Sequence, residues 1–200
     1  MIDNKAFFKL SYGLFVLTTS DGTRDNGCIV NTVAQVADNK ISVAVSKANY
    51  TAETIVKTGK MNALCLSVEA PFAVFEAFGF RSGRDVDKFA DCAPERSENG
   101  LAVLPRYINS YISLTVTDTV DLGSHLLFIC DATEAKVVSD AESMTYAYYH
   151  ANVKPKKEAK PSAKGYVCTV CGFVYDEETI PDDYECPLCH HPRSVFEEIK

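Results

Sequence analysis

Two pairs of cysteines in the last third of the chain have the spacing of a metal site. Cys168 and Cys171 form one Cys-x-x-Cys pair, Cys186 and Cys189 form a second, and fourteen residues lie between them. Each pair can make a tight turn that directs two sulfur atoms to one point, so two facing turns supply four thiolates in a tetrahedron. This ligand set suits zinc or a single iron ion. Two disulfides are the alternative, but no other feature of the sequence is typical of a secreted protein.

Residues 165–200 carry short motifs around these cysteines. They are Tyr-Val-Cys at 166–168, Cys-Gly-Phe-Val-Tyr-Asp at 171–176, Ile-Pro-Asp-Asp-Tyr at 180–184 and Cys-Pro-Leu-Cys at 186–189. Together they resemble rubredoxin, and the resemblance implies a one-electron iron centre held by the four cysteines. A zinc ribbon is the alternative, although it needs no dense aromatic shell. Five aromatic side chains could form such a shell and keep water from the sulfurs: Tyr166, Phe173, Tyr175, Tyr184 and Phe196.

This segment departs from classical rubredoxins at two places. The stretch between the cysteine pairs is shorter, which resembles the abbreviated rubredoxin domains that are fused to other redox proteins. His190 and His191 follow the last cysteine, where the family usually has glycine, whereas Gly172 follows the first pair. We expect both histidines to face solvent, because four thiolates already complete a tetrahedral metal shell.

Residues 1–150 are predicted to form a mainly β domain with short helices. Val, Ile, Thr and aromatic residues favour six strands, and Thr51 and Pro71 suit the starts of two helices. Strands outnumber helices, so the pattern favours a barrel over a doubly wound sheet. No Gly-x-Gly-x-x-Gly motif follows a strand, so a Rossmann-type NAD site is not indicated. The predicted strands are 12–19, 28–36, 41–46, 61–68, 111–119 and 126–138, and the predicted helices are 51–58 and 71–78.

Three stretches of this domain carry groups that could bind an anionic cofactor. The turn at 46–51 combines a lysine, hydroxyl and amide donors, and the free backbone amides of a helix start, which suits a phosphate group. The loop at 78–89 contains glycines and two arginines, and the strand at 25–36 contains polar residues at both ends. Each stretch also has an ordinary explanation: a solvated lysine, arginines paired with neighbouring aspartates, and plain strand residues.

Together the three stretches resemble the flavin-reductase-like, FMN-binding split-barrel family, over residues 5–150. The matching motifs are Tyr-Gly-Leu-Phe-Val-Leu-Thr-Thr at 12–19, Asn-Gly-Cys-Ile-Val-Asn-Thr-Val at 26–33, Ser-Val-Ala-Val-Ser-Lys at 42–47 and Phe-Gly-Phe-Arg-Ser-Gly-Arg-Asp at 78–85. The resemblance implies that the 26–33 strand passes beside the isoalloxazine ring, the turn binds the phosphate, and the loop closes over FMN. The cofactor-binding residues so implied are Asn26, Gly27, Cys28, Ile29, Val30, Asn31, Thr32, Ser46, Lys47, Asn49, Tyr50, Thr51, Arg81, Ser82, Gly83, Arg84 and Asp85.

The same resemblance implies a homodimer with FMN near the subunit interface. Members of the family often have Gly-Asp-His before a late strand, where the histidine lies near the nicotinamide site. The corresponding run here is Gly123-Ser124-His125, with the aspartate replaced. His125 is therefore the candidate catalytic residue and NAD(P)H the candidate electron donor, while an ordinary strand-end residue is the alternative for His125.

The charge distribution predicts two acidic domains and a basic linker. The net charge of −7 argues against nucleic acid as a general partner. Residues 151–164 are rich in Lys, Pro and Ala and are predicted to link a domain at 1–150 to a domain at 165–200. The chain has no apolar run of membrane-spanning length and no signal peptide, and with eight cysteines it is expected to be cytoplasmic, without a membrane partner.

The two resemblances together imply an electron-transfer flavoprotein. FMN accepts two electrons as hydride, whereas a rubredoxin iron passes one at a time, so their fusion would convert one mode into the other. The predicted path runs from NAD(P)H through FMN to the rubredoxin centre and on to a terminal reductase such as a flavodiiron protein. Two alternatives remain open: a non-enzymatic zinc ribbon tethered to a ligand-binding barrel, and a pure carrier reduced by a separate reductase.

Overall fold

The computed structural model describes residues 3–155, 165–170, 172–187 and 192–199. The chain divides into two compact units, Met1–Lys154 and Pro155–Lys200. Strands form the larger part of the regular structure, so the predicted mainly β fold with a small C-terminal domain is confirmed. Within the described ranges, no helix is long and apolar enough to cross a membrane.

The first unit is built on one sheet of seven strands and a separate two-stranded hairpin. In chain order the strands are β1 Phe15–Ser20, β2 Asp25–Val30, β3 Val33–Ala37, β4 Lys40–Ser46, β5 Lys60–Leu66, β6 Glu95–Arg96, β7 Ala102–Val103, β8 Ile108–Asp121 and β9 His125–Val137. The seven-stranded sheet has the order β2-β1-β5-β8-β9-β4-β3, and all of its pairs are antiparallel. The hairpin pairs β6 with β7.

The two edge strands of this sheet are consecutive in the chain. The predicted single strand 28–36 is therefore wrong, because the chain leaves its pairing with β1 after Val30 and begins to pair with β4 at Val33. Thr32 makes the crossing: its hydroxyl donates to the Ala44 carbonyl at 3.0 Å, and the Ala44 amide donates to the Thr32 carbonyl at 3.1 Å. The other five predicted strands exist, with ends displaced by up to three residues.

Apolar side chains fill the inside of the curved sheet and the space under a helix. Strand β4 alternates between buried and half-buried positions, as a strand with one face in a core does. Its buried face joins a cluster with Leu17, Ile55 and Phe128, each fully or almost fully buried. A second cluster includes Val16, Leu64, Phe75 and Phe78.

Two helices position the candidate site residues. Helix α1, Tyr50–Thr58, begins after Asn49 and ends at Gly59, whose φ of 69° is a conformation that favours glycine. Thr51 is therefore the second helical residue and not the cap that the sequence suggested. Helix α2, Phe72–Gly79, begins after Pro71 as predicted.

The first unit ends in helical turns. Helix α3, Tyr146–Tyr148, continues into a π-helical turn, Tyr149–Val153, and Val153 packs against the second core cluster. The first residues of the predicted 151–164 linker thus belong to this turn, whereas residues 156–164 lie outside the described residues. A short 3-10 helix, Asn4–Lys9, precedes the sheet.

The second unit contains a sheet of three short strands. Strand β10, Tyr166–Cys168, lies between β11, Val174–Tyr175, and β12, Phe196–Glu198. Both pairs are antiparallel, and they place Cys168 opposite Phe196 and Tyr166 opposite Tyr175. One of the predicted cysteine pairs begins at the end of β10, so this sheet positions it.

Candidate functional site

Residues from β2, α1 and the loop after α2 meet at one place in the first unit. The Asn26 side-chain amide, on β2, donates to the Thr51 hydroxyl, on α1, at 3.0 Å. Both side chains are buried, with 3% and 2% of their surface exposed. Two of the three stretches predicted to bind one cofactor are therefore in direct contact.

The third stretch reaches the same place through Gly83. A Cβ atom on Gly83 would clash with Asn26 Oδ1, so any larger residue there would force the Asn26 side chain to move. Asn26 Oδ1 is buried without a hydrogen-bond partner among the described residues. A buried acceptor of this kind costs stability unless something else satisfies it. The guanidinium of Arg24 donates to the Gly83 carbonyl and holds the loop in position.

Arg84 connects the loop to α1. Its guanidinium pairs with the Glu53 carboxylate and lies 4.9 Å from the centre of the Tyr50 ring. The hydrogen bond to Glu53 raises the pKa of Arg84. The pairing with neighbouring aspartates, which the sequence left open, is thus replaced by a pair with Glu53. Sequence reasoning missed Glu53, because it lies two residues beyond the predicted phosphate turn.

The turn before α1 contacts the strand that begins with His125. Ser46 is opposite His125 in the β4–β9 register, and the Lys47 amide donates to the Ser124 carbonyl at 3.0 Å. His125 is exposed, and its Nδ1 lies 2.9 Å from the Ser124 hydroxyl. The structure therefore brings the candidate catalytic residue next to the predicted phosphate turn.

Lys47 is an exposed lysine that forms an ion pair on the surface. Its Nζ lies 2.6 Å from the Asp121 carboxylate, at the end of β8. The hydrogen bond from Lys47 is the largest cause of the lowered pKa of Asp121. Sequence reasoning missed Asp121, because the pairing of β8 and β9 had to be known first.

Lys88 lies behind β2. Its Nζ donates to the Gly27 carbonyl at 2.7 Å and to the Phe78 carbonyl at 3.3 Å. It therefore joins β2 and the end of α2 to residues 81–88, which follow α2 and are called the 81–88 loop below. Burial lowers the pKa of Lys88 and raises that of the neighbouring Cys28 thiol to about 11. Cys28 is therefore a buried thiol and no nucleophile. Lys88 lies within the predicted 78–89 stretch but was not among the predicted cofactor-binding residues.

The remaining predicted residues are less closely grouped. The Arg84 amide donates to the Ser82 hydroxyl at 3.1 Å and the Asp85 amide to the Ser82 carbonyl at 3.1 Å, which shapes the loop. Among the described residues, Arg81 has no hydrogen bond to Asn26, Thr51 or Gly83. It lines a cavity beside α2. Along β2 and its crossing, Val30 is buried, and Ile29, Asn31 and Thr32 are half-buried.

The second unit buries two of the four predicted metal ligands. Cys168 and Cys186 each have 0% of their surface exposed. The turn after Cys168 is closed by a hydrogen bond from the Gly172 amide to the Cys168 carbonyl at 2.7 Å, and Gly172 has a φ of 78°. The Cys168 amide donates to the Phe173 carbonyl at 2.8 Å. Cys171, Cys189, His190 and His191 lie outside the described residues.

Aromatic rings pack near these two cysteines. The ring centres of Tyr175 and Tyr184 are 4.6 Å apart, and those of Tyr184 and Phe196 are 5.5 Å apart. Burial and the nearby Cys186 sulfur raise the pKa of Tyr184. Buried thiols with an aromatic neighbourhood fit a thiolate-bound metal, the chemistry that the spacing predicts.

Comparison with known proteins defines the class of this chain. The family model of the flavin reductase-like domain matches residues 7–157, and that of the rubrerythrin, rubredoxin-like domain matches residues 166–197. The chain therefore belongs to the flavin reductase-like family of oxidoreductases, and it carries a rubredoxin-like domain after the flavin reductase-like one. The predicted fusion of these two domains is confirmed.

Individual relatives have the same architecture or the same fold. The high molecular weight rubredoxin of Moorella thermoacetica is 35% identical over an alignment 230 residues long. The alignment covers 99% of this chain and 100% of the relative. The ferric-chelate reductase (NAD(P)H) of Archaeoglobus fulgidus is 33% identical over 78% of this chain and 93% of its own. The structure of the NADH:FAD oxidoreductase SgcE6 of Streptomyces globisporus shares the fold, with a TM-score of 0.63 and 17% identity over 72% of this chain and 91% of that one.

Proposed function

We propose that this protein passes electrons from NAD(P)H through FMN to an iron centre in its rubredoxin-like domain, and on to a separate terminal reductase such as a flavodiiron protein. One observation carries the proposal: a flavin reductase-like domain and a rubredoxin-like domain occur in one chain. Relatives named for NAD(P)H-dependent ferric-chelate reduction and for NADH:FAD oxidoreduction support the nicotinamide donor.

The cluster around Asn26 fits the proposed flavin. The buried Asn26 Oδ1 has no hydrogen-bond partner in the described part of the chain and offers an acceptor to a donor group of the cofactor. The Thr51 hydroxyl and the N-terminus of α1 suit a phosphate, and Lys47 would exchange the Asp121 carboxylate for that phosphate. Bound FMN would supply the exchange between hydride and single electrons, and thiolate-bound iron the single-electron relay.

His125 is the residue that we propose for the approach of the nicotinamide. It is exposed beside the 46–47 turn, so a second substrate can reach it. The contact of its Nδ1 with the Ser124 hydroxyl orients the ring. The four cysteines Cys168, Cys171, Cys186 and Cys189 are the proposed iron ligands, and the two that the structure describes are buried as a dry metal site requires.

We propose further that the protein is a cytoplasmic homodimer. Apolar side chains with large exposed fractions lie on β3, β8 and β9: Val36 at 57%, Val120 at 43% and Val137 at 72%. Single exposed apolar residues also occur on monomers, so the proposal rests on the resemblance to the split-barrel family, which implies a homodimer. Sedimentation of the purified protein tests this proposal, since a monomer across the micromolar range would contradict it.

An anaerobic NADH titration of the protein, followed by visible absorbance, tests the proposed path. We expect flavin bands and iron–thiolate bands in the oxidised protein, and bleaching of both as NADH is added. Bleaching only after a separate reductase is supplied would favour a pure carrier. A protein that binds zinc and shows no iron–thiolate band after expression with iron would contradict the proposal.

A further inference from the structure

A cavity of about 510 Å³ lies in the first unit beside α2. Its apolar wall includes Val74, Ala77 and Phe78 of α2 and Leu104 from the segment after β7. Neither Asn26 nor Thr51 lines it, so it is separate from the proposed flavin cluster. Its volume is within the range of small-molecule sites, about 300–1,000 Å³.

Two arginines without partners line this cavity. Arg81 and Arg106 have no carboxylate or carbonyl partner in the described part of the chain, and both contribute to the lining. A guanidinium presents a rigid fork of donors that matches a carboxylate or a phosphate. The other described arginines all have such partners: Arg24, Arg84, Arg96 and Arg193.

Two other charged residues of the lining, Lys88 and Asp87, already form hydrogen bonds within the first unit. Lys88 donates to the Gly27 and Phe78 carbonyls, and Asp87 accepts a hydrogen bond from the Phe89 amide at 2.9 Å. Asp91 also lines the cavity and offers an acceptor to a hydroxyl or amino group of a ligand. Two guanidinium groups and one carboxylate are thus available, which favours a ligand with a net negative charge.

The backbone at the cavity holds an aromatic ring in an unusual conformation. Tyr107 lines the cavity and has a φ of 69°, a region that a bulky residue seldom occupies. Its carbonyl accepts a hydrogen bond from the Ser67 amide at 2.9 Å, which ties this backbone to the segment after β5. The Tyr107 side chain remains 38% exposed. Backbone strain of this kind is concentrated at functional sites.

We propose that this cavity binds a small molecule that combines a planar ring with a carboxylate or phosphate group. The apolar wall and the Tyr107 ring would contact the ring of the ligand, and Arg81 and Arg106 would bind its anionic group. An aromatic carboxylic acid and a phosphorylated nucleoside both have this chemistry. Arg81 belongs to the 78–89 loop that the resemblance assigns to FMN, so the FMN affinity of each variant is measured as well; loss of probe binding with FMN binding retained separates this proposal from the function proposed above.

Binding of two probes to the cofactor-loaded protein tests the proposal. Calorimetry with benzoate represents the aromatic acid, and calorimetry with adenosine 2′-monophosphate represents the nucleotide. We expect saturable binding of at least one probe. The double variant Arg81→Gln/Arg106→Gln should weaken that binding at least about tenfold, because charge-assisted hydrogen bonds are lost. The double variant Lys57→Gln/Lys136→Gln, with the same change of charge elsewhere on the first unit, should leave it unchanged.

A second variant tests the cavity without changing any charge. Ala73 is exposed on α2 and lines the cavity, so Ala73→Phe should fill the space and abolish probe binding while the fold is kept. The probe that binds identifies the source of the ligand. The proposal is overturned if neither probe saturates, or if binding survives both the double arginine variant and Ala73→Phe.

Discussion

The two units of this chain are stabilised in different ways. The first unit buries two clusters of apolar side chains, around Phe128 inside the sheet and around Phe75 under α2. Among the described residues of the second unit, the buried apolar side chains are Cys168, Ile180 and Cys186. Two of these three are predicted metal ligands, so the second unit has hardly any core that is separate from its proposed metal site.

This difference teaches which unit can fold alone. A segment of about 40 residues seldom buries enough apolar surface for stability, and it usually needs a metal, disulfides or a partner. The second unit has 46 residues by its bounds, Pro155–Lys200. We therefore expect metal binding and folding to be one process there, whereas the first unit should keep its fold without any cofactor.

The largest expected effect follows from loss of one buried thiolate. Cys186→Ser should abolish the iron–thiolate absorbance and unfold the second unit, because metal binding is coupled to its folding. Flavin binding and the thermal transition of the first unit should remain. Visible absorbance together with amide chemical shifts of the two units measures both effects.

Cys92→Ser is the matched control for this prediction. Cys92 is a half-buried thiol of the first unit outside the predicted ligand set. This variant should keep the iron–thiolate bands. Loss of flavin in Cys186→Ser would show instead that the two units are not independent.

A large-to-small substitution in the core of the first unit should destabilise the first unit and leave the second unit unchanged. Phe128 is fully buried in the cluster inside the sheet, and Phe128→Ala should destabilise the first unit by about 3–5 kcal/mol through the lost burial and the cavity left behind. Chemical denaturation followed by circular dichroism measures this loss. The iron–thiolate bands should persist to the same denaturant concentration as in the unchanged protein, and a shift in their midpoint would contradict the comparison.

The sequence predicted the second unit through its ligands and the first through its strands. Four cysteines at a fixed spacing specify a small metal-binding fold almost by themselves, since the metal dictates the geometry. Strand composition identified most of the sheet but not the break at Asn31 and Thr32, because the pattern of β-forming residues continues through the crossing. The strand with which each half of this stretch pairs is decided by contacts across the sheet. Those between Thr32 and Ala44 are an example.

The partners of the candidate site residues illustrate the same limit. Asn26, Thr51 and Gly83 could be selected one by one as polar or glycine residues in suggestive stretches. Their contact depends on how β2, α1 and the 81–88 loop pack, which no local pattern contains. Glu53 and Asp121, the carboxylates paired with Arg84 and Lys47, were missed for this reason.

Variants of the phosphate turn should weaken cofactor binding, and Thr51→Val should also lower stability by about 1–3 kcal/mol, because the buried Asn26 amide loses its acceptor. Lys47→Ala with Thr51→Val removes a cation and a hydroxyl from the proposed phosphate site, and we expect flavin to bind about 10- to 100-fold more weakly. The exposed pair of Lys47 and Asp121 contributes little to folding. Fluorescence titration with FMN measures the affinity.

Lys40→Ala with Thr54→Val is the matched control. Lys40 forms another exposed pair, with Asp131, and Thr54 is another buried threonine of α1. This control should bind FMN as the unchanged protein does. If both double variants bind FMN equally weakly, the 46–51 turn is not the phosphate site.

The smallest expected effect lies in the β1–β2 turn, which carries Arg24. Asp21 accepts hydrogen bonds from the Thr23 hydroxyl at 2.6 Å, from the Thr23 amide at 2.9 Å and from the Arg24 amide at 3.0 Å. These bonds, the hydroxyl first, lower the pKa of Asp21 from 3.8 to about 2. The ionised carboxylate therefore stabilises the turn fully above pH 3.8, and this contribution is lost as the pH falls through about 2. An NMR titration of the Asp21 carboxyl carbon should show this midpoint, and Thr23→Ala should move it back toward 3.8, because the hydroxyl bond is the largest cause. The same midpoint in a sample without cofactor would show that the first unit organises even its exposed turn without a ligand, whereas a midpoint that moves on FMN removal would show that this turn depends on the cofactor.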